Sequence, residues 1–271
     1  MTRITYIYHD CFLAELQELN MVFDFWKDPN TAGESMPDFI KNADKEKPFY
    51  VFVSHHHKDH YTKRIFEWES LFPKIKFIIS RDVARFARHI LNPDSTYKAT
   101  KPSPDNVIIL GRGETYMDEL IKVEAFGSTD IGNSYYITVK EGLNEEDTIT
   151  FFHAGDLNAW TWRDESTDEE IRKALDDYTA VLRDIASCHQ SVDYAMFPVD
   201  SRIGSDYAEG ARLFVNTLDV GHFFPMHFGL GENSGEIRQR ERDATALKEY
   251  ANRTRGEYIC LQTPYSCYAK M

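Results

Sequence analysis

The chain has 271 residues, of which 42% are hydrophobic and 14% aromatic, and its formal net charge is −13. That length and composition suit a folded protein with a sizeable core and exclude a disordered polymer. The acidic balance disfavours nonspecific nucleic-acid binding, which needs clustered Lys and Arg, and no apolar run is long enough to cross a bilayer as a helix.

Residues Met1 to Tyr8 lack the apolar core of a secretion signal, so a cytoplasmic location is expected. Ile4–Tyr8 and Met21–Trp26 read as strands. Phe49–Val53 is apolar throughout, as in a strand buried on both faces. Ile65–Phe72 reads as helix, Ile75–Ile79 as strand and Val83–Leu91 as helix. Val107–Leu110 is another run of buried type, closed by the turn Gly111-Arg112-Gly113. Ile121–Phe126 and Ser134–Val139 read as paired strands, and Ile149–Phe152 as a further one. A long helix begins near Asp168-Glu169-Glu170, where negative charge suits the positive end of its dipole. Ile171, Leu175, Tyr178, Leu182 and Ile185 mark its buried face. Tyr194–Pro198 is strand-like, Tyr207–Leu218 helical, Phe223–Met226 a short strand, Arg238–Asn252 a charged surface helix and Ile259–Leu261 a closing strand. The four cysteines, Cys11, Cys188, Cys260 and Cys267, form no C-x-x-C pair and read as ordinary thiols. No repeat or low-complexity linker divides the chain, so a single α/β domain over 1–271 is the simplest reading.

The chemistry is concentrated in Ser54-His55-His56-His57-Lys58-Asp59-His60. Four of the ten histidines fall in this window, directly after the apolar strand Phe49–Val53. Imidazole is the commonest protein ligand for divalent transition metals, and carboxylate suits zinc as well. A loop leaving a strand end can aim several such side chains at one spot.

His55-x-His57-x-Asp59-His60 resembles the signature of the metallo-β-lactamase superfamily. Phe151-Phe152-His153-Ala154-Gly155-Asp156 looks like that family's strand and Gly-Asp turn, and Phe224-Pro225-Met226-His227 like the strand that delivers its last histidine. Tyr8-His9-Asp10-Cys11-Phe12 resembles the opening hairpin of the branch containing ascorbate-6-phosphate lactonase and related Zn-dependent hydrolases. The resemblance runs along essentially the whole chain and implies a four-layer αββα sandwich. It also implies roles. His55 and His57 would hold a first metal, Asp59 and His60 a second, Asp156 would bridge them, and His227 would complete the second site. Asp59 would orient the nucleophile or take its proton.

One departure stands out. The family supplies a further histidine from a loop that here reads Phe126-Gly127-Ser128-Thr129-Asp130-Ile131-Gly132, without one. Ser128 stands at that position, and a neutral serine is a poor zinc ligand. The first site is then weak, empty, or completed by Asp130 or water. One Zn²⁺ held by Asp59, His60, Asp156 and His227 is the alternative to two, and an oxygen-rich site would favour Mn²⁺ or Mg²⁺.

Arg202, in Asp200-Ser201-Arg202 after a strand, is the candidate for holding an anionic group. His153 is a further candidate near the substrate, as is His9 from the first hairpin. Trp160 and Trp162 read equally as a pocket wall or as core. His56 should face away from its two neighbours in the motif.

The implied function is hydrolysis of a small anionic substrate, a lactone or phosphoester, by a metal-bound hydroxide. The alternatives are a nuclease or phosphodiesterase of the same fold, and a metal-binding or sensing protein with little catalysis. A small-molecule partner is expected, membrane association is not, nucleic acid is disfavoured by charge, and a homo-oligomer stays open.

Overall fold

The computed structural model describes residues 1–32, 35–140, 147–228 and 256–270. The chain forms two compact units, Met1–Gly111 with Thr263–Met271, and Arg112–Gln262.

The first unit is built on a seven-stranded mixed sheet. In chain order it holds β1 (Thr2–Tyr8), β2 (Cys11–Glu15), β3 (Asn20–Phe23), a one-turn helix α1 (Asp38–Asn42), β4 (Phe49–Val53), β5 (Ile75–Ser80), α2 (Arg81–Phe86), α3 (Arg88–Leu91) and β6 (Val107–Leu110). The strand Cys267–Lys270 pairs antiparallel with β1 and forms one edge. β1, β2 and β3 are antiparallel neighbours, and β3 to β6 run parallel. β1, β3 and β4 therefore point the same way. All five residues of β4 are buried, as its unbroken apolar run requires. Below the sheet Trp68 is enclosed by Phe25, Phe39 and Phe49 at ring-centroid distances of 5.0, 6.1 and 6.4 Å.

Several sequence readings change in detail. The helix expected over Ile65–Phe72 is a 3₁₀ helix, Lys63–Ser70, whose first turn is capped by the Thr62 side chain. The helix expected over Val83–Leu91 is broken at Ala87 into α2 and α3. β6 is not a fully buried strand. It closes the sheet's edge, and Ile109 is 46% exposed.

The second unit also has a seven-stranded mixed sheet. Its elements are β7 (Thr115–Met117), β8 (Ile121–Phe126), β9 (Ser134–Lys140), β10 (Thr148–His153), α4 (Asp168–Cys188), β11 (Ser191–Pro198), α5 (Glu209–Thr217), β12 (Asp219–Met226) and β13 (Glu257–Tyr258). β7 to β10 are joined antiparallel, and β10 to β13 parallel. Parallel neighbours need a crossover, and α4 and α5 supply two of them. α4 opens with a capping box in which Thr167 and Glu170 bond each other's backbone N–H. It buries Ile171, Tyr178, Val181, Leu182 and Ile185. The strand expected at Ile259–Leu261 lies instead at Glu257–Tyr258, because the ladder with β12 extends only over His222↔Glu257 and Phe223↔Tyr258. The helix expected over Arg238–Asn252 falls outside the described residues. Among the described residues, no helix is long and apolar enough to cross a membrane.

Candidate functional site

In the first unit the polar groups follow the carboxyl ends of like-directed strands. His9 and Asp10 form the turn after β1, Asp24 follows β3, and Ser54 to His60 follow β4. Such strand ends are where side chains from separate stretches meet. The backbone N–H groups of His60 and Tyr61 both donate to the His57 carbonyl, at 3.1 and 3.0 Å. This curls the loop so that the His55 ring lies 4.0 Å from that of His60 and 4.6 Å from that of His57.

Asp24 organises this end. It accepts from the Ser54 backbone N–H at 2.7 Å, from Ser54 Oγ at 2.5 Å and from His60 Nδ1 at 2.9 Å. Ser54 Oγ also lies 3.0 Å from His55 Nδ1. His60 Nε2 faces Asp10 Oδ2 at 3.2 Å, and His9 Nε2 lies 3.4 Å from Asp10 and 3.5 Å from Asp59. The hydrogen bond from His9 holds the Asp59 carboxyl well below the usual carboxylate range. Partial burial opposes this, and His60 adds to it. His56 turns aside, as expected, to Asp82 at 3.0 Å.

In the second unit the same rule holds. Asp156 follows β10 through Gly155, Asp200 follows β11, and His227 follows β12. His227 Nδ1 bonds Asp200 Oδ2 at 2.9 Å, while its Nε2 lies 3.2 Å from Asp156 Oδ1. Arg202 closes on Asp200 through Nε at 2.9 Å and Nη2 at 2.6 Å. Burial opposes ionisation of Asp200, but the bonds from His227 and Arg202 outweigh it and bring its pKa to about 2. Trp160 donates from Nε1 to the Asp156 carbonyl at 2.8 Å, and its ring lies 5.2 Å from that of His227. Trp162 is 40% exposed and stacks on Trp160.

The loop without a histidine is tied to the Asp156 turn by Thr129, whose Oγ1 donates to the Asn158 carbonyl at 2.6 Å and accepts from the Asn158 N–H at 3.0 Å. Ser128 Oγ accepts from the Asp130 N–H at 3.3 Å and so shapes the turn. Asp130 presents a carboxylate oxygen within 4.8 Å of one from Asp156. His153 is buried, and its Nδ1 accepts from the Gly155 N–H at 3.2 Å, which makes it a support for the Gly-Asp turn.

The first unit thus gathers His55, His57, Asp59 and His60, and the second gathers Asp130, Asp156, Arg202 and His227. The donor set fits a divalent cation. A carboxylate that accepts from Nδ1–H leaves Nε2 with the lone pair, the state in which imidazole binds metal. Both His60 and His227 are held this way. Asp10 and Asp24 were not legible as site residues, and Asp200 was not legible as the partner of His227. The usable signal was position, since Asp24 and Asp200 follow apolar strand ends closely. Backbone strain marks the same places. Among the described residues, six non-glycine residues have positive φ, and His9 (59°), Asp24 (44°) and His227 (64°) are three of them.

A family model described as a β-lactamase superfamily domain matches residues 3–171. No curated protein sequence matches the chain. Among solved structures, the metallo hydrolase Igni18 from Ignicoccus hospitalis superposes with a TM-score of 0.61 at 15% identity, covering 100% of this chain and 99% of its own. The diiron β-hydroxylase CmlA from Streptomyces venezuelae gives 0.55 at 13% identity, covering 96% of this chain and 53% of its own. The metallo-β-lactamase fold protein YhfI from Bacillus subtilis gives 0.54 at 12% identity, with 98% of each chain covered.

Proposed function

Because the chain belongs to the β-lactamase superfamily, whose metallo-hydrolase fold it shares, we propose that it is a metal-dependent hydrolase of a small anionic substrate, a lactone or phosphoester. The observation that carries this reading is the pair of histidines, His60 and His227, each with Nδ1 fixed on a buried carboxylate and Nε2 directed at another. The family resemblance gives as ligands His55, His57, Asp59 and His60 from the first unit and Asp156 and His227 from the second, and Asp130 is our candidate for the role of the absent loop histidine. These residues would hold a divalent cation, which would supply acidification of water and polarisation of a substrate oxygen. Zn²⁺ suits the imidazoles, and the carboxylate share also suits Mn²⁺ or Mg²⁺. Iron joins these, since the similar structure CmlA is a diiron β-hydroxylase.

The chain's own residues divide the remaining work. Asp59 has a side chain 32% exposed and is kept ionised by His9, so its carboxylate would accept a hydrogen bond from the attacking water and orient it, or take its proton. Arg202 has a side chain 53% exposed while it pairs with Asp200, and it offers a cation to the substrate's negative group. Trp160 and Trp162 supply an apolar wall.

The test is a metal analysis of the purified protein by mass spectrometry, with a turnover screen of lactones, phosphodiesters and thioesters. The reading expects turnover that is lost in Asp59→Ala, lost on chelation and restored by metal. Stoichiometric metal without turnover dependent on Asp59 favours a binding or sensing protein instead.

A further inference from the structure

Asp10 is fully buried, and so is His60, whose Nε2 lies 3.2 Å from Asp10 Oδ2. A neutral imidazole carries one N–H, and here Nδ1 directs it to Asp24 at 2.9 Å. Nε2 is then an acceptor facing a carboxylate, which is an acceptor too. One cation between the two atoms would engage both, and the buried side chains of His60 and Asp10 hold those atoms 3.2 Å apart. Metal–ligand bonds of about 2.0–2.2 Å place two donor atoms on one cation about 2.8–3.6 Å apart, for right-angled to tetrahedral arrangements. The observed spacing falls inside that range.

His227 shows the same arrangement. Its Nδ1 is 2.9 Å from Asp200 and its Nε2 is 3.2 Å from Asp156, the carboxylate that the sequence motif assigns to metal. Asp10 stands to His60 as Asp156 stands to His227. We propose that Asp10 is a metal ligand beside His60, an additional carboxylate that shifts the centre toward hard, oxygen-seeking cations such as Mn²⁺. This inference rests on the metal-binding reading above. Asp59, held by His9 and partly exposed, is then not the sole carboxylate the first unit brings to the cation.

Two variants of the full chain test it. In Asp10→Cys loaded with Co²⁺, a thiolate-to-cobalt charge-transfer band appears in the near ultraviolet; the wild type, which has Cys11 next door, serves as the control and lacks it. In Asp10→Asn, competition with a chelator shows Mn²⁺ affinity reduced roughly 100-fold or more, at or beyond the upper end of the 10–100-fold typical of a group that only orients a ligand. No band in a folded Asp10→Cys protein, or unchanged Mn²⁺ affinity in folded Asp10→Asn, overturns the assignment. If the wild type itself binds no metal, the hydrolase reading fails with it. If the wild type binds metal and both variants match it, only Asp10 is excluded.

Discussion

The two units solve the same problem with different counter-charges. In each, a histidine at a strand's carboxyl end is fixed at Nδ1 by a buried aspartate and turns Nε2 toward a second one. In the second unit the fixing aspartate, Asp200, is also clamped by the guanidinium of Arg202. In the first, Asp24 takes a serine hydroxyl, a backbone N–H and the imidazole itself. A guanidinium compensates a buried carboxylate with full charge, whereas hydroxyl and amide dipoles do so only in part. The two fixing aspartates thus meet different donors, a guanidinium in the second unit and a hydroxyl and an amide in the first.

That contrast can be broken most sharply at the histidines. His60→Ala and His227→Ala are each expected to abolish stoichiometric metal and turnover, measured by metal mass spectrometry on folded protein. Retention of full metal in either variant removes that residue from the ligand set. A smaller effect is expected from the fixing aspartates. Asp24→Asn and Asp200→Asn should each weaken metal binding about 10–100-fold, by loosening the tautomer and orientation of the imidazole. Asp200→Asn should cost more, because Arg202, which can only donate, then remains 3.4 Å from His227 Nδ1 and favours the tautomer that carries its proton on Nε2. Equal losses would show that the counter-charges do not distinguish the units. The smallest effect concerns packing alone. Tyr178 is buried in the second unit and donates from its hydroxyl to the Gly210 carbonyl at 2.7 Å, so Tyr178→Phe should cost about 1 kcal/mol in a denaturant titration with metal binding unchanged. A change in metal affinity there would tie the core of that unit to its site.

Much of the fold was legible where hydrophobic pattern decides structure. Phe49–Val53 lies within a single layer of sheet, and its apolar run predicts that directly. The long helix announced itself by its buried stripe and by the acidic residues of its first turn. Short edge elements were harder. Thr115–Met117 and Cys267–Lys270 are partly exposed strands defined by their pairing partners, and Val107–Leu110 looks buried in sequence yet lies at an edge. The candidate site divides in the same way. The density of imidazoles in His55 to His60 is visible on the line of the chain. A lone aspartate such as Asp10 or Asp24 is not, because its chemistry depends on what adjoins its strand end.

By itself the amino-acid order determined the family, the α/β class and the residue types able to hold a metal, because these rest on local periodicity and on a motif contained in a few consecutive positions. The tertiary structure alone decided which carboxylate meets which imidazole. Asp10, Asp24 and His60 are separated in sequence by up to 50 positions, and only the shared direction of β1, β3 and β4 sets their oxygens about 3 Å from its two ring nitrogens. Proton placement on a histidine follows from such contacts, and so does its capacity to bind a cation.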